Sequence, residues 1–193
     1  MAEGPLAELQ RQHPVELVWL PFELRPEPEP LPDLTGPDRA RYEAGWARGV
    51  APLAARYGVT MHFPPFKPRS RWAHEAAEFA RDRGRFEAMR TALFETYFVA
   101  NRDIGAPEVL AEVAEGVGLD GTALRAALAA GTYRGRVLEL EHIAHQLGIS
   151  VVPTMVFGDY VAVHGAQPYA VLREAYELAR RAEAEQREPP VPS

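Results

Sequence analysis

The sequence predicts an α/β fold in which two α/β pieces bracket an all-helical insertion. Three observations carry this. A β-branched and aromatic run, VELVWL, occupies positions 15–20; residues 38–147 recur almost throughout at helical spacing; and a second β run at 149–157 is followed by a returning strand and a helix. The strands at the two ends have only each other to bury against. Residues 1–37 and 148–181 therefore form one discontinuous domain, 38–147 the helical insertion, and the charged, proline-rich 182–193 a flexible tail.

The elements follow in order. Residues 5–12 make a short helix with Leu6 and Leu9 on one side, and His13-Pro14 ends it because the residue before proline avoids the α region. The strand at 15–20 stops at Pro21. Five prolines between 25 and 37 then forbid helix and ladder alike, leaving an extended connector. Asp38 caps a helix running to Tyr57, with Gly58 as its stop, and a proline-rich crossing covers 59–69. Ser70 caps the next helix, whose stripe is Trp72, Ala76, Phe79 and Ala80, and Gly84 breaks it. Phe86, Met89, Leu93 and Tyr97 recur at helical spacing, with Phe94 and Phe98 widening the face; this stripe is core before it is a cofactor box. Pro107 opens a helix to Val117, Asp120 or Thr122 caps a short one ending near Gly131, and a last helix covers 134–147 before Gly148. Beyond it the period changes to that of strands at 149–157. Gly158-Asp159 reads as a two-residue turn with glycine first, 160–163 as the returning strand, and the final helix turns Val171, Leu172, Ala175 and Leu178 inward.

Composition narrows the function. A net charge of −6 argues against nucleic-acid binding, which needs a basic face to displace counterions. The arginines between 69 and 90 alternate with Glu75, Glu78, Asp82 and Glu87, as on a solvated helix face. Lys67 is the single lysine among 21 basic residues, which reads as the coding bias of a GC-rich genome. No run reaches the roughly 18 apolar residues of a membrane span, and the first residues lack the basic start and apolar run of a signal peptide. The expected compartment is the cytoplasm.

One motif is informative. Val152-Pro153-Thr154 puts a proline inside an otherwise buried strand, where it removes a ladder donor. An edge strand or a bulge accommodates that. So does a cis-proline at the start of a strand, beside a binding site, with the N–H and C=O of Val152 left open to pair with an extended peptide or with glutathione. With the run GISVVPTMVFGDYVAVHGAQPYAVLREA from position 148, the chain resembles the DsbA-like thioredoxin-fold family, specifically its FrnE-type branch. Trp19 to Pro26 (WLPFELRP), AHEAA at 73–77, ALFETYF at 92–98, Asp103-Ile104, Val109-Leu110 and GAQP at 165–168 agree in order, so that the resemblance covers about residues 5–180. It implies a thioredoxin-like fold with a helical insertion. It also implies a cytoplasmic thiol–disulfide oxidoreductase or dithiol–disulfide isomerase, acting on a protein or a small thiol or disulfide. Val152, Pro153 and Thr154 would bind the substrate, and His164, Gly165 and Gln167 would flank the pocket.

The chain departs from that family where its chemistry lies. The family's Cys-x-x-Cys pair opens the first helix, where the helix N-terminus lowers a thiol's pKa. This chain has no cysteine, and Met1-Ala2-Glu3-Gly4-Pro5 aligns a few residues into that helix. The family's first strand, internal to its sheet, is also absent. Two readings stand. The strand and the thiols are encoded upstream of Met1, or another element such as a partner subunit's strand in a homodimer covers the gap. Catalytic residues are therefore assigned to none of these side chains. Relatives that use glutathione, such as chromene-carboxylate isomerases and kappa-type transferases, offer a second reading, and a redox-silent peptide-binding module a third. The leading reading expects no cofactor; glutathione enters with the second. Glu139, Glu141, His142 and His145 cluster on one helix at metal-ligand spacing, but no further ligand motif completes a site, so the expectation there is a half-exposed helix surface. His164 reads as a loop histidine beside the pocket. Glu23 and Asp33 lie on connectors and lack a carboxylate partner.

Overall fold

The computed structural model describes residues 1–187. The chain divides into two compact units: Met1–Trp19 together with the chain from Leu147 onward, and Leu20–Gln146.

In the first unit, α1 (Glu3–Gln12) and α9 (Tyr169–Arg187) pack on one another and α9 covers the hairpin β1 (Thr154–Phe157) and β2 (Val161–His164). Leu6, Leu9 and Leu172 form its buried centre, against Val15, Leu17, Trp19, Met155, Phe157 and Val163. The expected two-residue hairpin turn is corrected. Phe157 faces Val161, so three residues make the connection, with Gly158 at φ +56°. The core explains the longer turn: Met155 lies opposite Val163 and Phe157 opposite Val161. A two-residue turn would slip the register by one and set Met155 against Ala162.

The run at 15–20 is extended but is not a strand, because no described residue forms a ladder with it. Its period survives. Val15, Leu17 and Trp19 turn to the core while Val18 is 75% exposed. Between this run and β1 lies an apolar groove of about 510 Å³ floored by Leu6 and Leu9. Among the described residues β1 has a ladder partner in β2 alone. The strand expected over 149–157 begins only at Thr154, since Pro153 has no N–H to give a ladder. On α9 the inward stripe is Leu172, Ala175 and Ala179, whereas Val171 and Leu178 are exposed. The helix continues to Arg187, so the tail expected from 182 is helical that far; its remainder, 188–193, lies outside the described residues.

The second unit is helical: α2 (Arg39–Arg48), α3 (Val50–Arg56), α4 (Arg71–Arg81), α5 (Phe86–Phe98), α6 (Pro107–Gly116), α7 (Gly121–Ala129) and α8 (Arg134–Gln146). The connector from Leu20 belongs to this unit. The single helix expected over 38–57 is two, broken at Gly49. Pro52 has no N–H for the carbonyl of Arg48, so the ladder cannot run through. α4 is central, packing on α5, α6, α7 and α8, and its Ala76, Phe79 and Ala80 meet Met89, Leu110 and Leu124 in the main core. The stripe on α5 is buried at Met89, Leu93 and Tyr97, while Phe94 is half exposed. Ser70 stands at the cap of α4 without its hydroxyl bonding there. Asp120, not Thr122, caps α7: its Oδ1 accepts from the Ala123 N–H at 2.9 Å.

Candidate functional site

The loop entering β1 is built by its neighbours. Gly165, in the left-handed region at φ +77°, donates its N–H to the Pro153 carbonyl at 2.8 Å. The Thr154 hydroxyl donates to the Val151 carbonyl at 2.7 Å and lies 3.0 Å from Nδ1 of His164. Gln167 donates from Nε2 to the His164 carbonyl at 3.0 Å. The residues singled out in the sequence — Val152, Pro153, Thr154, His164, Gly165 and Gln167 — thus come together in one loop pair at the end of the hairpin.

These ties pass on both sides of Val152 and leave it open. Val152 is itself exposed, and its N–H and C=O pair with no described residue. The Val152–Pro153 peptide is cis. An exposed residue whose N–H and C=O pair with no described residue, in a chain fixed before and after it, is what an extended backbone needs to add alongside. No side chain at this loop is a nucleophile for disulfide exchange. His164 is held by Thr154 rather than by any acid.

The second unit holds a polar cluster that sequence reasoning missed. Glu23, expected to stand alone on a connector, is buried; the Arg71 guanidinium binds its carboxylate, and its own backbone N–H donates to Oε1 of Glu141 at 2.9 Å. Arg71 also reaches Oε2 of Glu141 at 3.6 Å. Burial, and then the charge of Glu23, push the Glu141 carboxyl above the usual range. His74 has Nε2 shut away without a partner, and burial, with Arg71 nearby, pushes its pKa down to about 4. Glu75 is 0% exposed and neither carboxyl oxygen is hydrogen-bonded; Nε of Arg134 stands 3.9 Å away, and burial raises its pKa. One signal was legible: Glu75 and Glu78 interrupt the apolar face of α4 among Ala73, Ala76, Ala77 and Phe79. On α8, Glu141 is buried against Arg71 and not on the half-exposed surface expected of it, and the His145 ring packs at 5.2 Å from Phe22. Among the described residues no group of three His, Cys, Asp or Glu side chains is placed to hold a metal ion.

The comparisons with known proteins agree with this architecture. Protein YwbO of Bacillus subtilis (strain 168) is 33% identical over 168 residues, covering 86% of this chain and 80% of that protein. The crystal structure of a probable DsbA oxidoreductase from Streptomyces coelicolor superposes with a TM-score of 0.77 at 28% identity, over 99% of this chain and 84% of that one. A 2-hydroxychromene-2-carboxylate isomerase shares the fold, with a TM-score of 0.72 at 19% identity over 97% and 92% of the two chains. The model of the DSBA-like thioredoxin domain matches residues 1–177. This chain therefore belongs to the DSBA-like thioredoxin domain family.

Proposed function

We propose that this chain presents substrate for a DsbA-like thiol–disulfide exchange, of the dithiol–disulfide isomerase kind found in the FrnE-type branch. One observation carries the reading: Val152 is exposed and its N–H and C=O pair with no described residue, in a loop tied down at Val151 and Pro153. An extended protein segment carrying a disulfide adds there by backbone pairing, and Thr154, His164, Gly165 and Gln167 keep the loop in shape for it. Exchange then needs a thiolate to attack one sulfur of the bound disulfide, form a mixed disulfide as the S–S bond breaks, and release the other sulfur as a thiolate that takes its proton from water. The 193 residues contain no cysteine, so that thiolate comes from a group outside them. The cytoplasm is the compartment this reading assigns; no helix of the described residues is long and apolar enough to cross a membrane.

Hydrogen exchange at the Val152 amide tests it. An extended peptide containing an intramolecular disulfide is expected to slow that exchange, while the chain alone reduces insulin at the background rate. Unchanged exchange at saturating peptide, or insulin reduction by the chain alone, overturns the proposal. Calorimetry with glutathione separates the glutathione-dependent reading of the same scaffold, which requires glutathione to bind in preference to the peptide.

A further inference from the structure

A second groove, of about 440 Å³, lies within the helical unit between α2, the start of α3 and the crossing at 63–67. Its volume falls in the range of small-molecule sites. Two features set it apart. Its lining is aromatic at Tyr42, Trp46 and Phe63: the Trp46 and Phe63 rings meet edge to face at 5.9 Å, Phe98 stacks on Trp46, and the guanidinium groups of Arg39 and Arg41 lie over Phe63 and Tyr42. Its charges are all positive: Arg41, Arg48 and Lys67 line it, and none of its lining residues is acidic, in a chain whose net charge is −6.

The nearby carboxylates are already engaged. Asp38 binds Arg41 at 3.1 Å and Glu43 binds Arg39 at 2.7 Å. The side chains of Arg48 and Lys67 make no hydrogen bond, ion pair or ring contact with any described residue. Lys67 is half-buried, and the charge that acts on its ammonium is another cation, Arg25. A partly desolvated ammonium facing like charge is costly unless an anion accompanies it. The aromatic walls suit the flat face of a ring, and the cations suit an acid group on its rim.

We propose that this groove binds a small planar aromatic carboxylate. Its ring stacks against Trp46 and Phe63, and its carboxylate sits between Lys67 and Arg48. The site is separate from the Val152 loop and does not depend on the function proposed for it.

Calorimetry with 2-naphthoate on the full chain tests this. Binding is expected, and Lys67→Met is expected to weaken it by about tenfold, the effect of losing one charged hydrogen bond. Lys67→Arg is expected to restore it, and the uncharged 2-naphthalenemethanol and the non-aromatic cyclohexanecarboxylate are expected to bind much more weakly. Because Lys67 is the single lysine, a second readout needs no variant. Acylation of its amine, followed by peptide mass, is expected to slow with 2-naphthoate and not with acetate. Absence of 2-naphthoate binding, equal binding by Lys67→Met, or equal binding of cyclohexanecarboxylate overturns the proposal.

Discussion

Arg71 shows how much one side chain holds. It is the cation between two buried carboxylates, Glu23 and Glu141. Removing one partner of a buried ionic group leaves the others charged and unpaired, at a cost of about 3–5 kcal/mol. Arg71→Met is therefore expected to lower stability by that order in urea unfolding. Glu75 predicts the opposite sign. Its carboxyl is fully enclosed without a hydrogen bond, its nearest cation is the largely exposed Arg134 at 3.9 Å, and a methionine of similar length carries no charge to bury. Glu75→Met is expected to be neutral or to stabilise by about 1 kcal/mol near pH 7, which the same urea series measures. Glu75 shows in the sequence only as a carboxylate interrupting the apolar face of α4, and the role of Arg71 does not show at all. Arg71 reads as one of many arginines on a solvated face, and its partners are 48 and 70 positions away. By contrast Val152, Pro153 and Thr154 announce themselves, because a proline in a β run has few structural uses.

At the scale of elements, α6 and α7 meet so closely that a glycine is required. A Cβ on Gly121 would come within 2.7 Å of the Ala111 carbonyl, a backbone atom that cannot swing aside, and 2.6 Å from Oε1 of Glu115. Gly121→Ala is expected to cost about 1–3 kcal/mol despite alanine's better helix propensity, against about 1 kcal/mol for loss of the neighbouring cap in Asp120→Ala. Thermal unfolding of the two variants checks the order. The helices were legible because their apolar stripes and stop glycines agree. The divisions that failed have local causes: Pro52 interrupts a ladder that periodicity alone runs through to Tyr57. The hairpin turn lengthens by one residue so that Met155 and Val163 share a face. The run at 15–20 has the period of a strand, but a strand also needs a neighbour, and period says nothing of neighbours.

For the molecule as a whole, the buried titratable groups set how stability changes with pH. His74 is held neutral, its pKa pushed down from 6.5 to about 4. Below pH 6.5 the unfolded chain takes up a proton there that the folded chain refuses, so stability falls as pH drops from 6.5 towards 4, by about 3 kcal/mol from this residue. Glu75 and Glu141 act in the other direction. Their folded pKa values are raised, so they hold protons that the unfolded chain has released, and stability gains as pH falls through their folded values towards 4.5. His74→Gln is expected to flatten the loss between pH 6.5 and 4, read from urea midpoints across that window; an unchanged slope would show that His74 does not set it.

The groove between the extended run and β1 has a consequence for handling the protein. Among the described residues the edge of β1 away from β2 has no ladder partner, leaving a row of backbone donors and acceptors beside apolar side chains, and such a row does not discriminate well between one extended chain and the next. Crowding therefore invites the protein to stick to itself. Light scattering is expected to rise steeply with protein concentration, and Val156→Lys, a charge set on the outward face of β1, is expected to suppress the rise while leaving the fold unchanged.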